Sequence, residues 1–213
     1  MVPKIPSRIL EVYKPVSLWE SFYLRTRWRL CPYELVESLL PEMGRILDFG
    51  CGYGMLTNLL ALRSPSRSVF GIDLNKKRIH VAQRSASNRN NITFHCGDIE
   101  GLEMAQFDAV VMTDVLHHID DANVEILLEK INSCLRSEGI LAILDVDKTP
   151  FWKFCITYVI DKLLNPRARL HYYTAQDMER LLRRLRLATE KIIRAHKGLP
   201  LSDIIYLCRK RSL

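Results

Sequence analysis

The sequence predicts an α/β fold in which a mostly parallel β-sheet carries helices on both faces. Two observations carry this. From residue 32 onward, short apolar runs alternate with longer stretches whose apolar residues recur at helical spacing. The short runs also set apolar residues at adjacent positions rather than only at every second one, as in "RILDFG" and "FDAVVMTDVL". Strands buried on both faces need that pattern.

The elements follow in order. "PYELVESLL" (32–40) opens on proline and reads as a helix. "RILDFG" (45–50) is a buried strand ending in glycine, and "MLTNLLALR" (55–63) is the helix after it. "SVFGIDL" (68–74) and "KKRIHVAQRSASN" (76–88) repeat the strand–helix unit, and "NITFHCGD" (91–98) is a third strand. "FDAVVMTDVL" (107–116) is a fourth strand, "ANVEILLEKINSCLRSEG" (122–139) a helix stopped by its glycine, and "ILAILDVD" (140–147) a fifth strand. The repeat then breaks at a proline-bounded apolar helical segment, 148–173. "TAQDMERLLRRLR" (174–186) is the last helix, with Thr174 as N-cap, and strands near 187–194 and 201–208 close the chain. We therefore expect one domain over 1–213: a helical extension (1–40), a ligand-binding core (41–147), an inserted apolar helix or lid (148–173) and a closing unit (174–213).

Composition narrows the function classes. No apolar run approaches the roughly 18 residues of a membrane span, and the N-terminus does not read as a signal peptide, so a cytoplasmic protein is expected. The six cysteines are scattered with no Cys-x-x-Cys pair, which points away from a metal or redox motif. The net charge of +7 is concentrated toward the two ends of the chain, which favours anionic partners.

Three of nine glycines fall within five positions, Gly50, Gly52 and Gly54 in "ILDFGCGYG". Glycines just past a strand allow a sharp turn and close approach of a ligand. The dinucleotide fingerprint G-x-G-x-x-G and the P-loop ending Gly-Lys-Ser/Thr are both unmet, so neither nicotinamide nor a nucleoside triphosphate is favoured. Asp73 ends the second strand, where an acid can accept both ribose hydroxyls of a nucleoside, and Asp98 closes the third. Asp48, before the first glycine, is placed to meet a ligand ammonium.

"ILDFGCGYG", "GIDLN", "CGDIE" and "FDAVVMTDVLHHI", in this order and spacing, resemble the seven-stranded, Rossmann-like S-adenosylmethionine-dependent methyltransferases over residues 32–147. The resemblance implies a sheet with one antiparallel late strand and S-adenosylmethionine as cofactor. It places Gly50, Gly52, Gly54 and Asp48 at the methionine part, Asp73 at the ribose, Leu74, Asp98 and Ile99 at the adenine, and Thr113 at the methionyl carbons. The candidate bases are His117 and His118, directly after the fourth strand; His118 is preferred on strand alternation, and Asp114 reads as structural.

The acceptor is read from what is added to the core. The segment after the fifth strand sets Trp152, Lys153, Tyr172 and Tyr173 among many apolar residues and a cationic rim. That suits an amphiphile with an anionic end, such as a fatty, aryl or polyene acyl group, free or on a carrier protein. "DVDKTPFWK" with "YYTAQDMERLL" resembles small methyltransferases of lipid and polyene-type biosynthesis, although Arg186-Leu187 stands where many relatives have Gly-Phe. O-methylation is the leading expectation. N- or C-methylation of another metabolite, an RNA methyltransferase and a non-catalytic cofactor-binding subunit stay open, with nucleic acid disfavoured for want of a binding module. The stretch 151–164 is a candidate membrane or partner contact, and monomer and homodimer are both open.

Overall fold

The computed structural model describes residues 5–14, 16–86, 89–100, 106–164, 170–195 and 201–211. Three short helices lead in: α1 (Ser7–Val12), α2 (Leu18–Leu30) and α3 (Tyr33–Ser38). The core then runs β1 (Gly44–Phe49), α4 (Met55–Arg63), β2 (Arg67–Asp73), α5 (Lys76–Ser85), β3 (Ile92–Cys96) and β4 (Phe107–Thr113). A single 3₁₀ turn at Leu116–His118 leads to α6 (Asp121–Cys134) and β5 (Leu135–Val146). After α7 (Phe151–Leu164) and α8 (Ala175–Arg184) come β6 (Leu187–Arg194) and β7 (Asp203–Lys210).

The seven strands form one sheet in the order β3-β2-β1-β4-β5-β7-β6. The first five strands are parallel, and β7 runs antiparallel to both neighbours, β5 and β6. Strand alternation sorts the core into two layers. Ile46, Val111, Leu144 and Ile205 face the α1–α5 side, while Leu47, Val110, Ile143 and Ile204 face α6 and α8. All eight are essentially buried, so both faces are covered, as the unbroken apolar runs require.

Side-chain bonds fix the leading helices to the core. Tyr13 donates to the Tyr53 carbonyl at 2.8 Å and accepts from Asn58 of α4 at 3.0 Å. Ser17 and Glu20 form a reciprocal capping box that starts α2. The buried Arg67 of β2 reaches Glu37 of α3 at 2.6 Å and the Pro41 carbonyl at 2.8 Å.

One element differs from the expectation. The helix read as 122–139 ends at Cys134, and Gly139 does not cap it. Leu135 is wholly buried and pairs with Phe107 of β4, whose ladder resumes only at Ala109↔Ile140. The intervening residues bulge out, with Glu138 at φ 61°. Burial of Leu135 in the sheet thus outweighs the local preference to continue the helix. The expected helix over 148–173 is α7 for its first part; residues 165–169 lie outside the described residues.

Candidate active site

The chain turns after β1 through Gly50, Gly52 and Gly54, all left-handed at φ 74°, 55° and 77°. The Gly50 and Cys51 amides donate to the Ile72 carbonyl at 2.8 and 2.9 Å, pinning the loop to β2. The glycines serve different ends. A Cβ at Gly50 would lie 2.4 Å from a Val115 methyl, and one at Gly54 would lie 2.5 Å from the Phe94 ring. At Gly52 a Cβ would meet nothing closer than 4.0 Å, so this bare Cα faces open space. Gly54 caps α4 and is not part of the cavity wall.

That open space is a cavity of about 520 Å³ at the C-terminal ends of β1–β4. It lies where the neighbours of β1 diverge to β2 and β4, the crevice at which open α/β sheets bind ligands. Gly50, Gly52, Asp73, Leu74, Asp98, Ile99 and Thr113 all line it. Asp73 is held in place because its Oδ2 accepts from the Gly52 amide at 2.9 Å and its Oδ1 from Asn75 at 2.7 Å. Each oxygen keeps a further lone pair for a ligand hydroxyl. Asp98 accepts from the Ile99 amide at 2.7 Å.

Asp48 is not in the wall. It shares the strand face of Ile46, so it is sealed beneath α4, where Thr57 donates to it at 2.6 Å. Among the described residues its other oxygen has no partner, and burial pushes its carboxyl up to about 7 against the Thr57 hydrogen bonds. A closed-off, readily protonated acid is a poor partner for a ligand ammonium. This corrects the placement expected of it.

Beyond Thr113 the chain leaves the strand: Asp114 is left-handed at φ 56°, and a 3₁₀ turn brings both His117 and His118 to the cavity wall. The alternation used to prefer His118 therefore does not apply. Asp145 of β5 clamps this turn, accepting from the Leu116 and His117 amides at 2.9 and 3.3 Å and meeting His117 Nδ1 at 2.6 Å. Burial alone would depress the His117 pKa, but the charge and hydrogen bond of Asp145 lift it to about 9. His118 goes the other way: desolvation, then the neighbouring His117 charge, lower it to about 4. At neutral pH the first ring is charged and the second is neutral.

The wall is completed by residues the motifs did not single out. Tyr23 and Arg27 of α2, Tyr33 of α3 and Asp161 of α7 line the cavity, and Arg27 bridges to Asp114 at 2.5 Å. The Ser17-x-x-Glu20 box marks where α2 starts, but which of its faces meets the cavity is set by packing. None of the expected acceptor contacts, Trp152, Lys153, Tyr172 and Tyr173, lines this cavity. Trp152 is exposed with Lys153 over its ring, Tyr172 stacks on His117 and donates to Asp161 at 3.0 Å, and Tyr173 donates to Asp121 at 2.8 Å. Tyr172 thus acts on the site from behind His117. Among the described residues no three His, Cys, Asp or Glu side chains cluster as metal ligands.

Fold and site together define a class, and comparison with known proteins bears on it directly. Residues 46–139 match the family model described as a methyltransferase domain. The matched stretch is thus similar to a methyltransferase domain, and the sheet has the fold of solved S-adenosylmethionine-dependent methyltransferases. Over 98 residues the chain is 37% identical to malonyl-[acyl-carrier protein] O-methyltransferase of Acetivibrio thermocellus, covering 46% of this chain and 34% of that one. Over 113 residues it is 35% identical to ubiquinone biosynthesis O-methyltransferase of Coxiella burnetii, covering 51% and 46%. The chain spans about a third to under three-fifths of the lengths of such curated relatives. Magnesium protoporphyrin IX methyltransferase of Synechocystis PCC 6803, solved with bound SAH, shares the fold at TM-score 0.67 and 20% identity, over 97% of this chain and 94% of that one.

Proposed function

We propose that this chain is an S-adenosylmethionine-dependent methyltransferase acting on an anionic oxygen, a carboxylate or acidic phenol, of a small amphiphilic acceptor. The observation that carries this reading is the opposite tuning of the two histidines on the cavity wall. His117 keeps its proton to about pH 9 and His118 is a weak base near 4, so neither is poised to take a proton at neutral pH. An acceptor oxygen that is already ionised needs no such base.

The residues present fit the cofactor. The bare Gly52 Cα and the fixed Asp73 would hold its methionine and ribose parts, and Leu74, Asp98 and Ile99 its base. When bound, S-adenosylmethionine supplies an activated methyl group. The chain's own task is then to orient the acceptor and exclude water. The His117 imidazolium, with Nδ1 committed to Asp145, keeps its Nε2–H as a donor for an anion. Tyr23, Tyr33 and the apolar parts of the wall would pack on the acceptor body. The relatives named as O-methyltransferases of an acyl-carrier substrate and of ubiquinone biosynthesis support oxygen as the acceptor atom.

The test is transfer of labelled methyl groups to matched acids and alcohols, with calorimetry of S-adenosylhomocysteine binding. Acids should be methylated and alcohols should not, and His118→Ala should leave the rate on acids largely intact. Asp73→Ala should weaken cofactor-product binding by more than about tenfold, the scale of a lost pair of hydrogen bonds. Absence of binding by the parent chain, or transfer to alcohols that depends on His118, overturns the proposal.

A further inference from the structure

Helix α7 is amphipathic in the inverted sense. Its polar side faces the protein: Thr157 is buried and accepts from the Ser202 amide at 3.0 Å, and Asp161 accepts from Tyr172. Its outward side is apolar. Trp152, Ile156, Val159 and Leu163 recur at the spacing of one helical face, and they are 57%, 36%, 55% and 76% exposed. A contiguous apolar stripe facing solvent marks an interaction surface.

The cations sit beside the stripe rather than on it. Lys153 lies 5.5 Å over the Trp152 ring and Lys162 lies 6.0 Å over the Tyr158 ring, and the helix's one acid, Asp161, points inward. Helix α2 also exposes apolar residues at its start, Leu18, Trp19 and Phe22 at 92%, 69% and 59%, and the exposed Arg25 and Arg29 continue that face toward its end. Glu20 of α2 is occupied in the capping box. An acidic carrier protein would be met by cations at the centre of the contact. Apolar and aromatic residues at the centre, with lysines at the flanks, match a bilayer surface, where the stripe enters the interface and the lysines reach anionic headgroups.

We infer that α7, supported by the start of α2, docks this chain on an anionic lipid surface. No helix among the described residues is long and apolar enough to cross a membrane, so the contact is interfacial. Both helices also supply cavity wall, Tyr23 and Arg27 from α2 and Asp161 from α7. Resting on the function proposed above, this makes a lipid-borne amphiphile the acceptor class.

The experiment is co-sedimentation of the full chain with vesicles of equimolar phosphatidylglycerol and phosphatidylcholine, against pure phosphatidylcholine. Binding should require the anionic lipid and weaken with salt. Val159→Glu with Leu163→Glu should reduce it at least about tenfold, since two apolar side chains leave the interface. Circular dichroism and S-adenosylhomocysteine binding should be unchanged, because the stripe is exposed; should the double variant lose its fold, Trp152→Ser carries the same comparison. The inference fails if the parent chain ignores anionic vesicles or if the folded variant binds them equally. It also fails if the stripe proves to hold a dimer or an acidic carrier protein instead, seen as an assembly that Val159→Glu dissolves. Vesicle binding needs neither cofactor nor acceptor, so it stands or falls separately from methyl transfer.

Discussion

Replacing Asp145 by asparagine tests the electrostatics of the site most directly. Asp145 and His117 are both buried and joined at 2.6 Å, and the carboxyl is itself held below the usual carboxylate range, burial being outweighed by the imidazolium. A folded-state pKa near 9 against an ordinary 6.5 amounts to about 3 kcal/mol at about 1.4 kcal/mol per pH unit. Because the folded pKa is raised, this stabilisation is complete below pH 6.5 and is lost as pH rises through about 9. Between about pH 7.5 and 9.5 the parent protein should therefore lose about 2 kcal/mol in urea unfolding. In Asp145→Asn only burial acts on the ring. Its pKa should fall below 6.5, and the His117 share of the slope above pH 7.5 should vanish, leaving only the loss that the buried thiols of Cys31, Cys51 and Cys208 give to both proteins. A new loss of stability should open below about pH 6.5. At pH 7 the variant should be less stable by about 3 kcal/mol, the usual scale for breaking a buried pair. Asp48, raised to about 7, contributes its own pH dependence below that point, but equally in both proteins. A parent stability flat from pH 7.5 to 9.5, or a variant that keeps the parent slope, refutes the assignment.

Two further substitutions probe the backbone. Arg186 follows α8 in a left-handed conformation, φ 58°, with an exposed side chain and, among the described residues, hydrogen bonds through its backbone alone. Arg186→Gly should raise stability in thermal melts by about 0.5–1 kcal/mol, the relief of strain exceeding the entropy cost of glycine; a lower melting temperature contradicts this. Gly54→Ala should lower stability by at least about 2 kcal/mol, since its Cβ meets the Phe94 ring at 2.5 Å, whereas Gly52→Ala should cost only the backbone strain. Equal losses in denaturant titrations would remove the distinction between the two glycines.

The part of the cavity at the ends of β1–β4 is legible in the sequence because each piece of it is a strand end. Strands β1, β2 and β4 are apolar runs with clear limits, and parallel register brings Phe49, Ile72 and Met112 level. Asp73, Asp98 and Thr113 follow from that placement. Asp48 also follows, once alternation is applied: it shares a face with Ile46, and that face lies under α4. The 3₁₀ turn at Leu116–His118 is harder to read. It depends on Asp145, 28 residues further on, accepting two of its amides, a contact no local pattern displays. The early end of α6 has the same character, since Leu135 is drawn into the sheet by Phe107.

The rest of the cavity wall is assembled by contacts of long sequence separation. Arg27 reaches Asp114 across 87 residues, Asn58 holds Tyr13 across 45, and Ser202 fixes Thr157 of α7 across 45. The sequence shows that residues 17–30 and 151–164 are rich in aromatics and cations, but both sides of an amphipathic helix look alike until its partner is known. Packing decides which side turns inward. In α7 it selects Thr157 and Asp161, which leaves Trp152, Ile156, Val159 and Leu163 outside and moves Trp152 from the acceptor pocket to the surface. The same choice lets Asp161 accept from Tyr172, whose ring stacks on His117. One helix therefore both supports the charged ring in the cavity and presents the apolar stripe outside it.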